Sequence, residues 1–311
     1  MQEGSELRVF LIVWIGWCNV WLGHSQTIFN VLQYGAIGNA QTDDSPAFAK
    51  AWEAFCGAKE EEPIFVVPGG HSFLLRPTYF KGPCSSNRLH IQILGAVIAP
   101  HKDAWGGCSK RWLSISEVSG LTVDGSGTVD GHGQTWWADP HAVEFFRCDG
   151  LQISGLTHVN GPGSHVKVDQ SNDVRISHLT ITSPRDSPNT DGIDVANAAR
   201  VRIHNCIIGT GDDCIAIKGG SHFINITEIH CGPGHGISIG SLGQNGVEEH
   251  VEDIRVWGCH VEGAEGGARI KTCPGGKGSA KRISFEHMTV SQTRQPILID
   301  QHYDHRGEEV I

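Results

Sequence analysis

Short runs in which apolar and polar residues alternate recur along the chain from Leu89 onwards. Each run is rich in Val, Ile or Leu and is bounded by Gly or Asn, which is typical of half-buried β-strands separated by turns. The seven runs that resemble one another most begin at Leu121, Leu151, Val174, Val201, Ile224, Ile254 and Ile283. Their starts are 23 to 30 residues apart, and this regular spacing predicts one repeating structural unit.

A second alternating run follows each of the last six: "HVKV", "GIDV", "CIAI", "GISI", "ARIK" and "PILI". Repeats of this length predict a solenoid. Because the runs are strand-like, we expect an all-β fold, a parallel β-helix in which each coil stacks on the one before. The alternative is a β-sandwich whose strands have this spacing by coincidence.

The segment from Phe29 to Cys56 does not follow the repeat. Asp43, Asp44 or Ser45 can cap a short amphipathic helix that runs to Cys56. An uncovered end of a β-helix exposes unpaired strand edges. We therefore expect this helix to cover the first coil.

The first 25 residues differ from the rest of the chain. Residues 9–23 are an apolar run and small residues follow near Ser25, which predicts a signal peptide at 1–25 and a β-helix domain at 26–311. The alternative is an uncleaved membrane anchor, although a spanning helix needs about 20 apolar residues. No other membrane segment is visible in the sequence, so we expect no membrane contact after removal of the signal.

Composition indicates the compartment and narrows the partners. Ten cysteines are typical of a secreted chain with disulfides, and Cys18 lies in the signal, which leaves an odd number, nine. The net charge of −10 at pH 7 provides no basic patch for nucleic acid. The 17 histidines beyond residue 25 would protonate in an acidic extracellular space, and a polyanionic partner therefore stays compatible with the sequence.

Aligning the second runs by their apolar pairs places charged residues in register. Asp191, Asp213 and His235 then occupy one position in three successive coils, about 4.8 Å apart, and Asp212 lies beside this row. The run "ARIK" follows one coil later and adds two outward cations, Arg269 and Lys271, at the rim. The alignment predicts one cluster of titratable groups.

Three carboxylates with cations at the rim favour acid/base hydrolysis of an anionic substrate. One acid needs a raised pKa, which crowding by like charges supplies, while another carboxylate stays ionised to activate water. The cations would bind the substrate's negative charge. Two alternatives stay open, a calcium site, because oxygen clusters also bind that ion, and a solvated turn.

Four ordered blocks, "SPNTDGIDV", "GTGDDCIAIKGG", "CGPGHGISIGSLG" and "ARIKT", resemble the signatures of the polygalacturonases, glycoside hydrolase family 28. "FNVLQYGA", "TDDSPAF" and "WWADP" are similar to the plant branch, and the resemblance covers residues 29–303. It implies a right-handed parallel β-helix that hydrolyses α-1,4-galacturonosidic bonds of pectin with inversion. It also implies a secreted, cell-wall enzyme that needs no metal or cofactor, and we expect a monomer.

The resemblance also implies a role for each matching residue. Asp212 would be the general acid, Asp191 and Asp213 would bind and activate water, and His235 would set the protonation of the acid. The residues implied to bind substrate are Asn189, Arg269, Lys271 and Tyr303. We expect Lys218 on the solvated face rather than in the site, and Asp194 behind the row.

The resemblance also concerns the cysteines. It implies a central disulfide between Cys214 and Cys231, and Cys56 with Cys84 is a second candidate pair. Cys206 and Cys259 lie at one strand position two coils apart, about 9.6 Å, which is too far to bridge and predicts buried thiols. Asn225 in "NIT" matches the pattern of a glycosylation acceptor.

The end of the sequence departs from the family. Members of the family continue for further coils, whereas here Tyr303 is followed by "DHRGEEVI", with Asp304 where relatives have a cysteine. We expect a domain that is truncated at its C-terminus, with an open last coil. Three functional alternatives stay open: hydrolysis of rhamnogalacturonan or xylogalacturonan, pectin binding without catalysis, and a calcium-dependent lyase.

Overall fold

The computed structural model describes residues 27–105, 111–135, 137 and 141–303. The chain forms a right-handed parallel β-helix, as predicted, and its strands lie in three sheets. The predicted signal peptide at 1–25 and the residues after Tyr303 lie outside the described residues.

In the described residues, the first two sheets have ten strands each and the third has nine. The strands of the first sheet are Ile28–Asn30, Ile64–Val67, Leu89–Ile93, Leu121–Asp124, Gln152–Ser154, Arg175–Ser177, Ala199–His204, His222–Thr227, Glu248–Trp257 and Lys277–Glu286. The strands of the second sheet are Asn39–Asp43, Ser72–Leu74, Ala96–Ile98, Thr128–Asp130, Thr157–Val159, Thr180–Thr182, Ile207–Gly209, His230–Cys231, His260–Glu262 and Thr289–Ser291. The strands of the third sheet are Thr78–Lys81, Arg111–Ser116, His141–Phe146, Val166–Asp169, Ile193–Ala196, Ile215–Ile217, Ile237–Leu242, Gly266–Thr272 and Gln295–Asp300.

The register of the strands is the one that the apolar pattern predicts. In the first sheet, Val201 pairs with Ile224, which pairs with Ile254 on the next coil. In the third sheet, Ile215 is the neighbour of Ile193 on one side and of Ile237 on the other. Every strand pairing within the described ranges is parallel, which excludes the β-sandwich, because that fold is built from antiparallel sheets.

Each of the seven similar runs is two strands in the structure, on the first and second sheets, whereas the second runs are single strands of the third sheet. A corner residue with positive φ separates them in six successive coils. These residues and their φ angles are Gly155 (77°), His178 (55°), Asn205 (54°), Glu228 (55°), Gly258 (65°) and His287 (52°). The left-handed conformation turns the chain without interrupting the apolar alternation, and the sequence pattern therefore does not reveal that each of these runs is divided between two sheets.

The predicted capping helix spans Ser45–Cys56 and covers the first coils. Its buried face carries Phe48, Trp52 and Phe55, and the Phe48 ring lies 5.4 Å from that of Phe73. The Asp44 side chain does not cap the helix; its carboxylate accepts hydrogen bonds from the amides of residues 37 and 38 instead. Four short 3-10 segments complete the helical content of the described residues: Val31–Tyr34, Lys102–Ala104, Gly133–Thr135 and Gln244–Gly246.

The other end of the described β-helix is less covered. In strand Gln295–Asp300, Ile297 is 77% exposed and Ile299 is 68% exposed, whereas the equivalent Ile237 and Ile239 are fully buried. None of the helices in the described ranges is long and apolar enough to cross a membrane.

Both expected disulfides are present, Cys214–Cys231 and Cys56–Cys84. Cys206 and Cys259 are buried free thiols, which confirms the prediction made from their spacing. The buried Cys148 is a further free thiol among the described residues. Asn225 lies in strand His222–Thr227 with an exposed side chain, and its glycosylation stays a prediction.

Candidate active site

The outward face of the third sheet carries the predicted row. The amide of Gly192 donates to the carbonyl of Asp213 at 2.9 Å, and the amide of His235 donates to the carbonyl of Asp212 at 2.8 Å. These bonds stack the segments that precede strands Ile193–Ala196, Ile215–Ile217 and Ile237–Leu242. The register therefore brings Asp191, Asp213 and His235 together on successive coils, as the alignment predicts.

Asp213 is the buried centre of the site, with its side chain 1% exposed. Its Oδ1 accepts hydrogen bonds from Arg269 Nη1 at 3.0 Å and from Ser238 Oγ at 2.6 Å. Its Oδ2 accepts from Lys271 Nζ at 2.7 Å. A buried carboxylate needs such partners, because an unpaired charge in the interior is strongly unfavourable.

Asp212 and His235 form a second, more accessible pair. The ring Nδ1 of His235 lies 2.9 Å from Asp212 Oδ1, and the Asp213 amide donates to the same oxygen at 2.8 Å. The other ring nitrogen lies 3.6 Å from the Glu265 carboxylate. The hydrogen bond to Asp212 raises the pKa of His235 against the opposing effect of burial. Below the raised pKa of His235, the two groups together therefore carry one proton.

The pKa of Asp212 differs from the sequence-based expectation, which was a pKa raised by crowding. Burial raises the pKa, but the hydrogen bond and charge of His235 outweigh burial, and the net pKa lies below its usual value. Asp191 has the opposite shift, since burial and then the charge of Asp194 raise its pKa well above the usual range. Neighbouring carboxylates therefore raise the pKa of Asp191, whereas the net pKa of Asp212 is lowered.

Arg269 and Lys271 were expected at the rim, and the structure corrects this placement. Both are buried, at 9% and 3% exposure, because both contact the Asp213 carboxylate. Lys271 Nζ also lies 5.0 Å from the centre of the Tyr303 ring, a cation–π contact that fixes the ring beside the site. Two cations for one carboxylate leave an excess positive charge at this side of the row.

A groove of about 400 Å³ continues the site towards the N-terminal coils. Asn189 and Asp191 line it, together with Lys167 of the preceding coil. Lys218 also lines it, with Nζ 3.8 Å from Asp191 Oδ2 and 3.7 Å from Asp194 Oδ1. The expectation that Lys218 belongs to the solvated face is therefore wrong.

The donor atoms do not favour a calcium site. Ligand atoms of Asp212, Asp213 and His235 lie within 4.8 Å of one another, close enough to share an ion. Both oxygens of Asp213 already accept hydrogen bonds from cationic side chains, which would repel a divalent ion. The set has only two carboxylates, whereas Ca²⁺ takes six to eight oxygen ligands.

Sequence reasoning missed two residues of the site. Ser238 donates a hydrogen bond to Asp213, and Glu265 lies beside His235. Ser238 could have been found, because the same alignment places it in register with Arg269. The alignment could not have revealed Glu265, because this residue precedes strand Gly266–Thr272 and is not part of an aligned run.

The comparisons with known proteins agree with this architecture. Residues 56–310 match the family model described as Glycosyl hydrolases family 28. A probable polygalacturonase of Arabidopsis thaliana is 46% identical over 284 residues, 90% of this chain and 62% of that protein. A polygalacturonase of Persea americana is 40% identical over 292 residues, 89% of this chain and 62% of that protein. The chain thus spans less than two thirds of the length of these relatives.

A solved structure with the same fold is that of endo-xylogalacturonan hydrolase from Aspergillus tubingensis, with a TM-score of 0.78 and 27% identity. The alignment covers 91% of this chain and 78% of that one. An exopolygalacturonase from Thermotoga maritima has a TM-score of 0.75 at 20% identity, over 88% of this chain and 75% of that one, and supports the fold alone. The family match covers far more than half of the sequence, and the chain therefore belongs to family 28 of the glycosyl hydrolases.

Proposed function

We propose that this chain is a polygalacturonase that hydrolyses α-1,4-galacturonosidic bonds of pectin by an inverting mechanism, without a metal or cofactor. The observation that carries the proposal is the cluster itself. Asp191, Asp212 and Asp213 meet on one face beside His235, with the cations of Arg269 and Lys271 behind them. The plant relatives that are named polygalacturonases support the same substrate.

In this mechanism Asp212 donates a proton to the glycosidic oxygen as the bond to the anomeric carbon breaks. Water attacks that carbon from the opposite side and loses a proton to Asp191, while Asp213 holds the water. Neighbouring coils are about 4.8 Å apart, and carboxyl groups on different coils leave room for a water molecule. Inverting hydrolases need such room, with carboxyl groups roughly 6.5–9.5 Å apart.

The state of the proton follows from the Asp212–His235 pair. Because the pKa of His235 is raised, the pair keeps its proton through mildly acidic pH. The rate is then lost as pH rises through the raised pKa of His235, and it is lost at low pH when the water-activating carboxylate protonates. We therefore expect an optimum at mildly acidic pH, which suits secretion to an acidic cell wall after removal of residues 1–25.

A second assignment exchanges the two roles, and the raised pKa of Asp191 favours it. Asp191 would then donate the proton and Asp212, with its lowered pKa, would activate water. The reaction and its products are the same in both cases. A substrate whose leaving group needs no general acid distinguishes the two assignments. It restores the activity of Asp212→Asn under the first assignment and of Asp191→Asn under the second.

The substrate carboxylate would bind on the side with excess positive charge. Arg269 and Lys271 together outweigh Asp213, and Tyr303 and Asn189 would border the bound sugar. This charge suits unsubstituted galacturonan. Xylogalacturonan is the second candidate substrate because the structure of 27% identity is named for it, but the plant polygalacturonases are more similar in sequence.

The test is product analysis on de-esterified polygalacturonate with the purified chain, with and without EDTA. We expect new reducing ends without ultraviolet absorbance, inverted anomers by NMR at early times, and no effect of the chelator. Unsaturated products that depend on calcium would replace the proposal by a lyase. Binding without turnover would leave a pectin-binding β-helix.

A further inference from the structure

Lys218 occupies a defined position next to the proposed reaction centre. It follows strand Ile215–Ile217, and its amide donates to the carbonyl of Val195 on the preceding coil at 2.7 Å. This bond fixes the start of the side chain between two coils. The ammonium group then lies almost equally far from Asp191 and Asp194, at 3.8 and 3.7 Å, in a side chain that is 34% exposed.

Asp191 needs a nearby cation to stay charged. Burial, Asp194, Asp212 and Asp213 all raise its pKa, and Lys218 lowers it. The charged or titratable groups around it on its own coil, the next coils and the preceding coil are Asp194, Asp212, Asp213, Lys218, His235, Lys167, Asp169 and His141. The other lysine of the groove, Lys167, pairs with the buried Glu144 at 3.2 Å.

Asp194 competes with Asp191 for the same ammonium group. Its Oδ1 is buried and accepts no hydrogen bond in the part of the chain that the structure describes. Asp194 and Asp191 outweigh the effect of burial and raise the pKa of Lys218, so the ammonium group stays charged across the working range. One cation thus balances two carboxylates, one in the row and one behind it.

We propose that Lys218 is a positioning residue, whose ammonium group bridges Asp191 and Asp194 and keeps the Asp191 carboxylate ionised and in place to activate water. The inference rests on the proposed hydrolysis and on Asp191 as the base. Lys218 acts through Asp191 and need not touch the substrate. Its loss therefore changes the turnover and its pH dependence more than the Michaelis constant.

The experiment compares the parent with Lys218→Met, which keeps the length of the side chain, and Lys218→Arg, which restores the charge. For Lys218→Met we expect the acid limb of the kcat profile on polygalacturonate to move up by about one pH unit, with KM changed less than kcat. Lys218→Arg restores most of the acid limb. Lys281→Met is the matched control, because Lys281 pairs with Glu252 at 3.2 Å on the first sheet, away from the site, and its acid limb stays where that of the parent lies.

A second measurement does not depend on activity. The free energy of unfolding in urea is measured for the parent, Lys218→Met, Asp191→Asn and the double variant, between pH 4.5 and 7. The pKa of Asp191 is raised in the folded protein, and removing Lys218 raises it further. The unfolded pKa of Asp191 is the same in both chains, so the loss of stability in Lys218→Met grows as pH rises through the raised folded pKa of Asp191 in the parent. When Asp191 is replaced by Asn, Lys218→Met no longer causes the part of this pH-dependent loss that is due to Asp191.

The outcomes separate the two proposals. If the parent does not hydrolyse polygalacturonate, the proposed function fails, and the unfolding cycle alone decides whether Lys218 and Asp191 are coupled. An acid limb that does not move, or an unfolding cycle without coupling, overturns the role of Lys218. If Lys218→Met moves the alkaline limb instead of the acid limb, the proposed role of Lys218 also fails, because Asp191 would then be the general acid.

Discussion

Two aspartate–arginine pairs in this molecule differ in surroundings more than in geometry. Arg200 bonds Asp173 on the preceding coil through two nitrogens, at 2.6 and 2.8 Å, and both side chains are more than half exposed. Arg269 bonds Asp213 through one nitrogen at 3.0 Å, and the carboxylate is 1% exposed. The exposed pair has the better fork geometry, yet solvent screens it.

The comparison shows where a β-helix places its chemistry. Register brings charges into line on every face, and among the described residues the most deeply buried ion pairs lie on the third sheet. Burial makes Asp213 depend on its partners and raises the pKa of Asp191. Four changes would break or sharpen this contrast.

The largest effect is expected for Asp212→Asn. Removal of a general acid costs roughly 10²–10⁴-fold in kcat. Binding of oligogalacturonate, measured by calorimetry, stays largely intact, because the proton is not needed in the ground state. An aryl galacturonide with a good leaving group recovers the activity of this variant but not that of Asp191→Asn. Turnover of polygalacturonate within tenfold of the parent would remove Asp212 from the role, and recovery of Asp191→Asn instead would exchange the two.

Arg269→Met tests the buried pair for stability. Removing one partner of a buried ion pair costs roughly 3–5 kcal/mol, and urea unfolding measures the loss. Arg282→Met is the matched control, since Arg282 bonds Asp253 at 2.6 Å but is 54% exposed. The control is expected to leave the unfolding midpoint almost unchanged. Equal losses in the two variants would contradict the importance of burial.

His158 shows what burial does to a titratable group whose side chain makes no hydrogen bond with the described residues. Both of its ring nitrogens are buried without a hydrogen bond among the described residues, and burial lowers the pKa to about 4. The unfolded chain binds this proton near pH 6.5, so stability is lost as pH falls from there to about 4. The loss amounts to about 3 kcal/mol. His158→Leu is expected to reduce this acid slope in urea unfolding at several pH values, and an unchanged slope would contradict the account.

Lys271→Ala separates two roles of one cation. If Lys271 binds the substrate carboxylate, its removal loses a charge-assisted contact of about 1.5–3 kcal/mol, and kcat/KM on de-esterified polygalacturonate falls accordingly. The value of kcat/KM on methyl-esterified pectin falls less, because that substrate lacks the charge. Initial rates on the two substrates measure the difference. Equal impairment on both would mean that Lys271 serves only Asp213.

The sequence predicted the register of the site because apolar pairs such as Ile215 and Ile217 have only one way to align with the next coil. It could not predict that the first and second sheets are separate, because the corner between them is turned by single residues such as Asn205. Nor could it place Lys218, since alternation gives the direction of a side chain but not which carboxylates converge on it. The prediction of a raised pKa for Asp212 was wrong for a similar reason, because the direction of the shift depends on a hydrogen bond from His235.

The stacking of the site on successive coils has a consequence for how the molecule loses activity. Each coil of a solenoid is stabilised mainly by its neighbours. The site needs four coils in register, those of Asp191, Asp213, His235 and Arg269, so local opening of any one of them would separate the reacting groups. Gentle heating would therefore abolish activity while most of the β-helix still gave its native circular dichroism.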